Sequence, residues 1–163
     1  MDVLPSIFFT GIGATLVVDA WALVRERLFG VPRANYGLLG RWIAHMPRGR
    51  FVHASIATAQ PVRGERALGW IAHYLIGVAF AGLLLVVAGV EWFRAPSVAP
   101  ALLVGVATVL APFLLMQPGM GAGIAARRTP RPGAARVQSL LTHAVFGLGL
   151  YAAGSLAALL SAP

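Results

Sequence analysis

Ala111-Pro-Phe-Leu-Leu-Met-Gln-Pro-Gly-Met-Gly-Ala-Gly123 lies within an apolar run that carries no charge from Ser97 to Ala126. A membrane-spanning helix needs about 20 apolar residues, so the run is long enough to cross. It nevertheless contains Pro112 and Pro118, two methionines four residues apart (Met116, Met120), Gln117 and four glycines. Each interior proline removes a helix hydrogen bond, and lipid offers no water to replace it. A broken helix is tolerated where neighbouring helices or a cavity satisfy the freed backbone. The stretch is expected to be the inner element of a bundle, with its deviant end beside Arg127 and Arg128.

The rest of the chain agrees. Of 163 residues, 58% are hydrophobic and only 11% charged, with a mean hydropathy of +0.79. A soluble domain carries about 25% charged residues, so the composition is that of an integral membrane protein. All 13 basic residues are Arg and none is Lys, and the formal charge is +8. Because these arginines flank apolar spans, anionic lipid headgroups and membrane topology explain them better than nucleic acid does. No basic patch shows the aromatic interleaving of a nucleic-acid surface. The absence of Cys excludes disulfides, thiolate metal sites, iron–sulfur ligation and a Cys nucleophile. Met1-Asp2 supplies no basic n-region, so the first apolar segment reads as a retained helix.

Four spans are expected in one transmembrane domain, at about 3–24, 68–90, 97–122 and 137–160. The connections 25–67 and 123–136 hold twelve arginines between them, against one between the second and third spans. Arginine-rich loops stay cytoplasmic. Both termini are therefore expected on the periplasmic side of a bacterial inner membrane. Within the first loop Leu38, Leu39, Trp42, Ile43 and Met46 fall at helical spacing beside an interfacial Trp. Such a helix either lies on the membrane surface or caps the bundle. The fold class is all-α: a membrane four-helix bundle with this loop helix.

A two-helix repeat is also visible. Arg66 and Arg136 each precede a histidine by seven residues (His73, His143), and each histidine precedes a glycine by four (Gly77, Gly147). Gly11-Ile-Gly-Ala-Thr15 matches Gly105-Val-Ala-Thr108 in texture. Two helix pairs of the same orientation would be parallel repeats, as in some transporters.

Counting inward from the nearest Arg places Asp19, His73, Met120 and His143 six or seven residues deep, roughly 10 Å below one boundary. Met116 and Gln117 lie about a turn deeper than Met120, and Gln138 lies nearer the surface. An ionised Asp inside a span is costly and should find a partner, with His73 or His143 the expected one. Asp19, His73 and His143, with Met116 and Met120, form a candidate metal set. Two imidazoles and a carboxylate suit divalent transition metals, and His with thioether sulfur suits Cu(I). Haem ranks below these, since no Cys-x-x-Cys-His attachment occurs.

The same groups suit a proton or ion relay in a small transporter or channel. The blander account is helix glue, in a structural subunit whose glycines permit close contact. The methionines read first as packing residues, and His45 and His53 as solvated or interfacial loop residues. Partners expected are the bilayer, anionic headgroups at the Arg-rich loops, and a second copy or a membrane partner. No Walker loop, Gly-x-Ser-x-Gly or His-Glu-x-x-His is present, which speaks against an enzyme. Gly11-Ile-Gly-Ala-Thr is no dinucleotide fingerprint, because no strand precedes it.

Several stretches resemble a family of small bacterial inner-membrane proteins known as a domain of unknown function (number 2938). They are Gly11 through Trp21, Tyr36 through Trp42, Gly69-Trp-Ile-Ala-His-Tyr-Leu-Ile-Gly77, Met116-Gln-Pro-Gly-Met-Gly-Ala-Gly123 and Thr142 through Tyr151. The Met-Gln-Pro stretch is the most distinctive. The resemblance implies a four-helix membrane protein and carries no reaction, substrate or ligand.

Overall fold

A computed structural model describes residues 3–161, and Met1-Asp2 lies outside them. No strand occurs among the described residues. In chain order the helices are α1 (Val3–Phe29), α2 (Tyr36–His45), α3 (Glu65–Ala88), α4 (Val90–Arg94), α5 (Val98–Ala107), α6 (Gln117–Gly119) and α7 (Pro132–Leu160). A 3-10 turn follows α2, a π turn (Pro112–Met116) precedes α6, and a second 3-10 turn (Ile124–Ala126) follows it. Four stretches are long and apolar enough to cross a membrane: Val3–Phe29, Glu65–Ala88, Val98–Gly119 and Pro132–Leu160. Leucines and valines such as Leu16, Leu75, Val86, Leu103 and Leu159 are exposed along them, as lipid-facing side chains must be. The chain is a multi-pass membrane protein.

Helix ends follow local chemistry. α1 runs past Arg25, Glu26 and Arg27 to a stop at Gly30, whose φ of +64° favours glycine. α7 begins earlier than hydropathy alone suggests, because Pro132 is preorganised for a first helical position.

The chain divides into two compact units. The first comprises residues 3–33, 74–108 and 141–161. Here parts of α1, α3, α5 and α7 form a four-helix bundle around Ala14, Val18, Ala81, Leu84, Phe93, Val104 and Leu150. Glycine sets its closest approaches, since lipid gives apolar helices no hydrophobic reason to associate and packing must supply it. A Cβ on Gly11 would stand 2.9 Å from the Gly77 carbonyl oxygen, and one on Gly105 2.6 Å from the Gly147 nitrogen. Thr15 donates its hydroxyl to the Gly11 carbonyl (2.8 Å), and Thr108 donates to that of Gly105 (2.6 Å). The α1–α3 and α5–α7 pairs thus share one device: glycine against glycine, with a threonine bonded to the first glycine's carbonyl. It falls on the glycines and threonines of the sequence repeat.

The second unit comprises residues 34–73 and 109–140. Asn35 caps α2 by accepting from the Gly37 amide. The helix then lies against the start of α3, with Gly40 facing Gly69 so closely that a Cβ on either would overlap backbone. Leu39 is buried, and the Trp42 indole covers Gly119. Leu39 and Trp42 of the α2 stripe are thus packed on protein within this unit.

Candidate functional site

The broken stretch after Val109 is built as its composition demands. Pro112 opens a π turn, Pro118 interrupts the next turn, and α6 ends after three residues. Gly121 and Gly123 then take positive φ, as do Ala125 (+47°) and Ala126 (+58°). Alanine pays an energetic penalty in that region, so the turn is held by its surroundings. Two freed carbonyls are answered from the loop after α2: His53 N–H donates to Gly119 O (2.9 Å) and Ile56 N–H to Met120 O (3.0 Å). Gly121 is needed for this approach, since a Cβ there would overlap the Ala54 carbonyl. Gln117 lies in the same stretch. Its amide nitrogen is 3.5 Å from the Ser139 hydroxyl, and its Oε1 is buried without a hydrogen-bond partner among the described residues.

One guanidinium organises the loop. Arg41 is only 9% exposed. It donates through Nε and Nη2 to the two Glu65 carboxylate oxygens (2.8 and 2.7 Å). Its Nη1 donates to the carbonyls of Ile56, Ala57 and Ala59 (3.1–3.2 Å). Glu65 also accepts from the Val62 amide. The Glu65 hydrogen bond raises the Arg41 pKa, keeping the guanidinium charged throughout the usable pH range. Arg41 therefore departs from the expectation that these arginines serve topology and lipid, because the planar fork satisfies carbonyls that a loop without regular structure leaves open.

His45 and His53 also depart from expectation. His45 is 3% exposed, not solvated, and its Nδ1 lies 2.8 Å from Nε2 of His53. Nδ1 of His53 is 3.3 Å from Gly119 O. Their eight-residue separation crosses a loop with no hydrophobic period, so nothing in the sequence paired them.

Asp19, His73 and His143 each meet polar or aromatic neighbours. Tyr74 donates its hydroxyl to Asp19 Oδ2 (2.9 Å). The His73 ring stacks on Tyr36 at 4.0 Å between centroids and meets Trp70 edge-on. His143 Nδ1 lies 2.9 Å from the Thr108 hydroxyl. Because Thr108 gives its only proton to Gly105 O, its oxygen must accept from Nδ1–H. Neutral His143 therefore carries its lone pair on Nε2. Asp19 and His143 belong to the first unit, whereas His73, Met116, Gln117, Met120 and Gln138 belong to the second. Both methionines and Gln138 are half-buried. Among the described residues no group of three or more His, Asp or Glu is placed to hold a metal ion.

Thr108→Val strips the His143 proton of its acceptor inside the bundle. The expected loss of stability is about 1–3 kcal/mol, with recovery in Thr108→Ser. Unfolding in mixed detergent measures it.

A family model described as a protein of unknown function (DUF2938) matches residues 8–157. No curated protein and no solved structure matches the chain.

Proposed function

The chain belongs to this family, which assigns no activity, and from its own geometry we propose that it is a small proton-linked transporter or channel of the bacterial inner membrane. The observation that carries the proposal is the discontinuous third span. Unwound backbone at membrane depth is tolerated where it is buried or lines a path, and transporters use such breaks as solute sites. Gln117, with an unanswered buried oxygen, offers an acceptor at the break. Asp19 and His143 are the proposed proton carriers. Tyr74 can donate to a carboxylate and accept from a carboxylic acid, so Asp19 keeps this partner in either state. Thr108 holds the His143 Nδ1 proton and leaves Nε2 to gain or lose one. In the proposed topology both termini are periplasmic and the Arg-rich loops face the cytoplasm and its anionic headgroups.

Proton flux in proteoliposomes tests the proposal. Wild type dissipates an imposed pH gradient faster than protein-free liposomes do. Asp19→Asn and His143→Gln fall to the protein-free level, while Asp19→Asn melts close to wild type. Wild-type flux equal to empty liposomes at every pH defeats the proposal.

A second reading draws on the same histidine. A metal-ligating His ordinarily anchors its other ring N–H, as Thr108 does here, which leaves Nε2 for a transition metal. Near-stoichiometric metal in purified wild type, lost in His143→Ala, would favour that reading.

A further inference from the structure

The His45–His53 pair has no part in the proposed flux, yet its position on the broken stretch gives it a definite chemistry. Gly119 O can only accept, so the contact with His53 Nδ1 requires a proton on that nitrogen. Neutral His53 then presents a bare Nε2, and His45 must donate its Nδ1 proton to it. One tautomeric arrangement satisfies both contacts: Gly119 carbonyl, His53 with Nδ1–H, His45 with Nδ1–H.

Protons add to this chain in a fixed order. The first goes to Nε2 of His45 and leaves the inter-ring hydrogen bond intact. A second has only Nε2 of His53 to occupy. There it would face the Nδ1–H of His45 across 2.8 Å, so the rings must part. Charged groups lie around the pair on the neighbouring elements. Glu65, on α3, carries a charge that interacts with that of His45, and the same carboxylate holds Arg41, one turn before His45 on α2. Arg48 and Arg50 follow on the next turn, where the Arg50 amide donates to the His45 carbonyl. The broken stretch has no titratable residue from 109 to 126.

We infer that His45 and His53 are a proton-binding latch on the end of the third span. With at most one added proton, the paired rings hold the 53–56 segment against Gly119 and Met120. The second proton parts them and loosens the two backbone bonds, His53 N–H to Gly119 O and Ile56 N–H to Met120 O. The inference rests on the transport reading for its purpose alone, namely control of the broken span. The ligand is the proton.

Hydrogen exchange on the full-length protein in detergent tests it, read on peptides covering residues 51–57 between pH 8 and pH 5. Rates are divided by the intrinsic rate at each pH. Opening that takes up one proton gains about a factor of ten per pH unit once the titration is entered. Wild type is expected to show this acid-side rise in opening. His45→Gln and His53→Gln are expected to lose it, because a glutamine amide can present either donor or acceptor to the remaining ring. Two variants are used so that a folding defect in one leaves the other to report. A flat wild-type profile, or the same rise in a folded variant, overturns the latch. Exchange is read without a flux assay, so failure of the latch and failure of the transport proposal are separate results.

Discussion

Replacing Gly69 with alanine is expected to destabilise the protein by about 3 kcal/mol, towards the upper end of overpacking effects. The new methyl would coincide with the Tyr36 carbonyl oxygen, an atom of α2 backbone that no rotamer change can move. α2 must shift or tilt, and Gly40, facing Gly69 from the other side, leaves no slack. The control lies on the same helix. A Cβ on Gly82 meets nothing within 4 Å. Gly82→Ala should therefore stay within about 1 kcal/mol of wild type, in the stabilising direction, by restricting the unfolded chain. Unfolding of the two variants side by side checks both. Equal behaviour would mean that α2 does not approach α3 as described.

Breaking the Arg41–Glu65 pair has a comparable effect, localised to the loop between α2 and α3. Glu65→Ala leaves a nearly buried guanidinium without its carboxylate and the Val62 amide without its acceptor. Arg41→Lys keeps the charge, but an ammonium cannot reach both carboxylate oxygens and three carbonyls at once. In both variants residues 49–64 lose their organising centre. Trypsin, which cuts after arginine, should cleave at Arg50 and Arg63 at least about tenfold faster than in wild type, since cleavage follows the open population. Cleavage at Arg136, outside this loop, serves as the internal reference. An unchanged cleavage rate in the loop would show that Arg41 does not hold it.

The sequence revealed features governed by period and punctuation. Pro112, Pro118 and the glycines from 119 to 123 announced the broken span, and the structure breaks there. The likeness of Gly11-Ile-Gly-Ala-Thr15 to Gly105-Val-Ala-Thr108 pointed to a repeat, and those glycines and threonines make matching contacts in the first unit. What stayed hidden was partnership. Depth counted from flanking arginines says how far a group lies from a boundary, not which way its helix is turned. The Tyr74 hydroxyl on Asp19, for instance, has no periodic signal in the sequence. One position along a helix rotates a side chain by about 100°, so depth by itself names no partner. Arg41 was hidden for a different reason. In an arginine-rich loop its charge looks like its neighbours', and only the three carbonyls it gathers mark it as internal.

Whether the break in the third span is the working element is tested most directly by mending it. Wild type and a Pro112→Ala/Pro118→Ala variant are reconstituted side by side, and decay of an imposed pH gradient is followed in each. Restoring both amide donors lets the helix continue and closes the discontinuity. The predicted result is clear flux in wild type and flux at the protein-free level in the variant, with a melting point no lower than wild type. A folded variant that passes protons as fast as wild type would contradict the proposed role of the break.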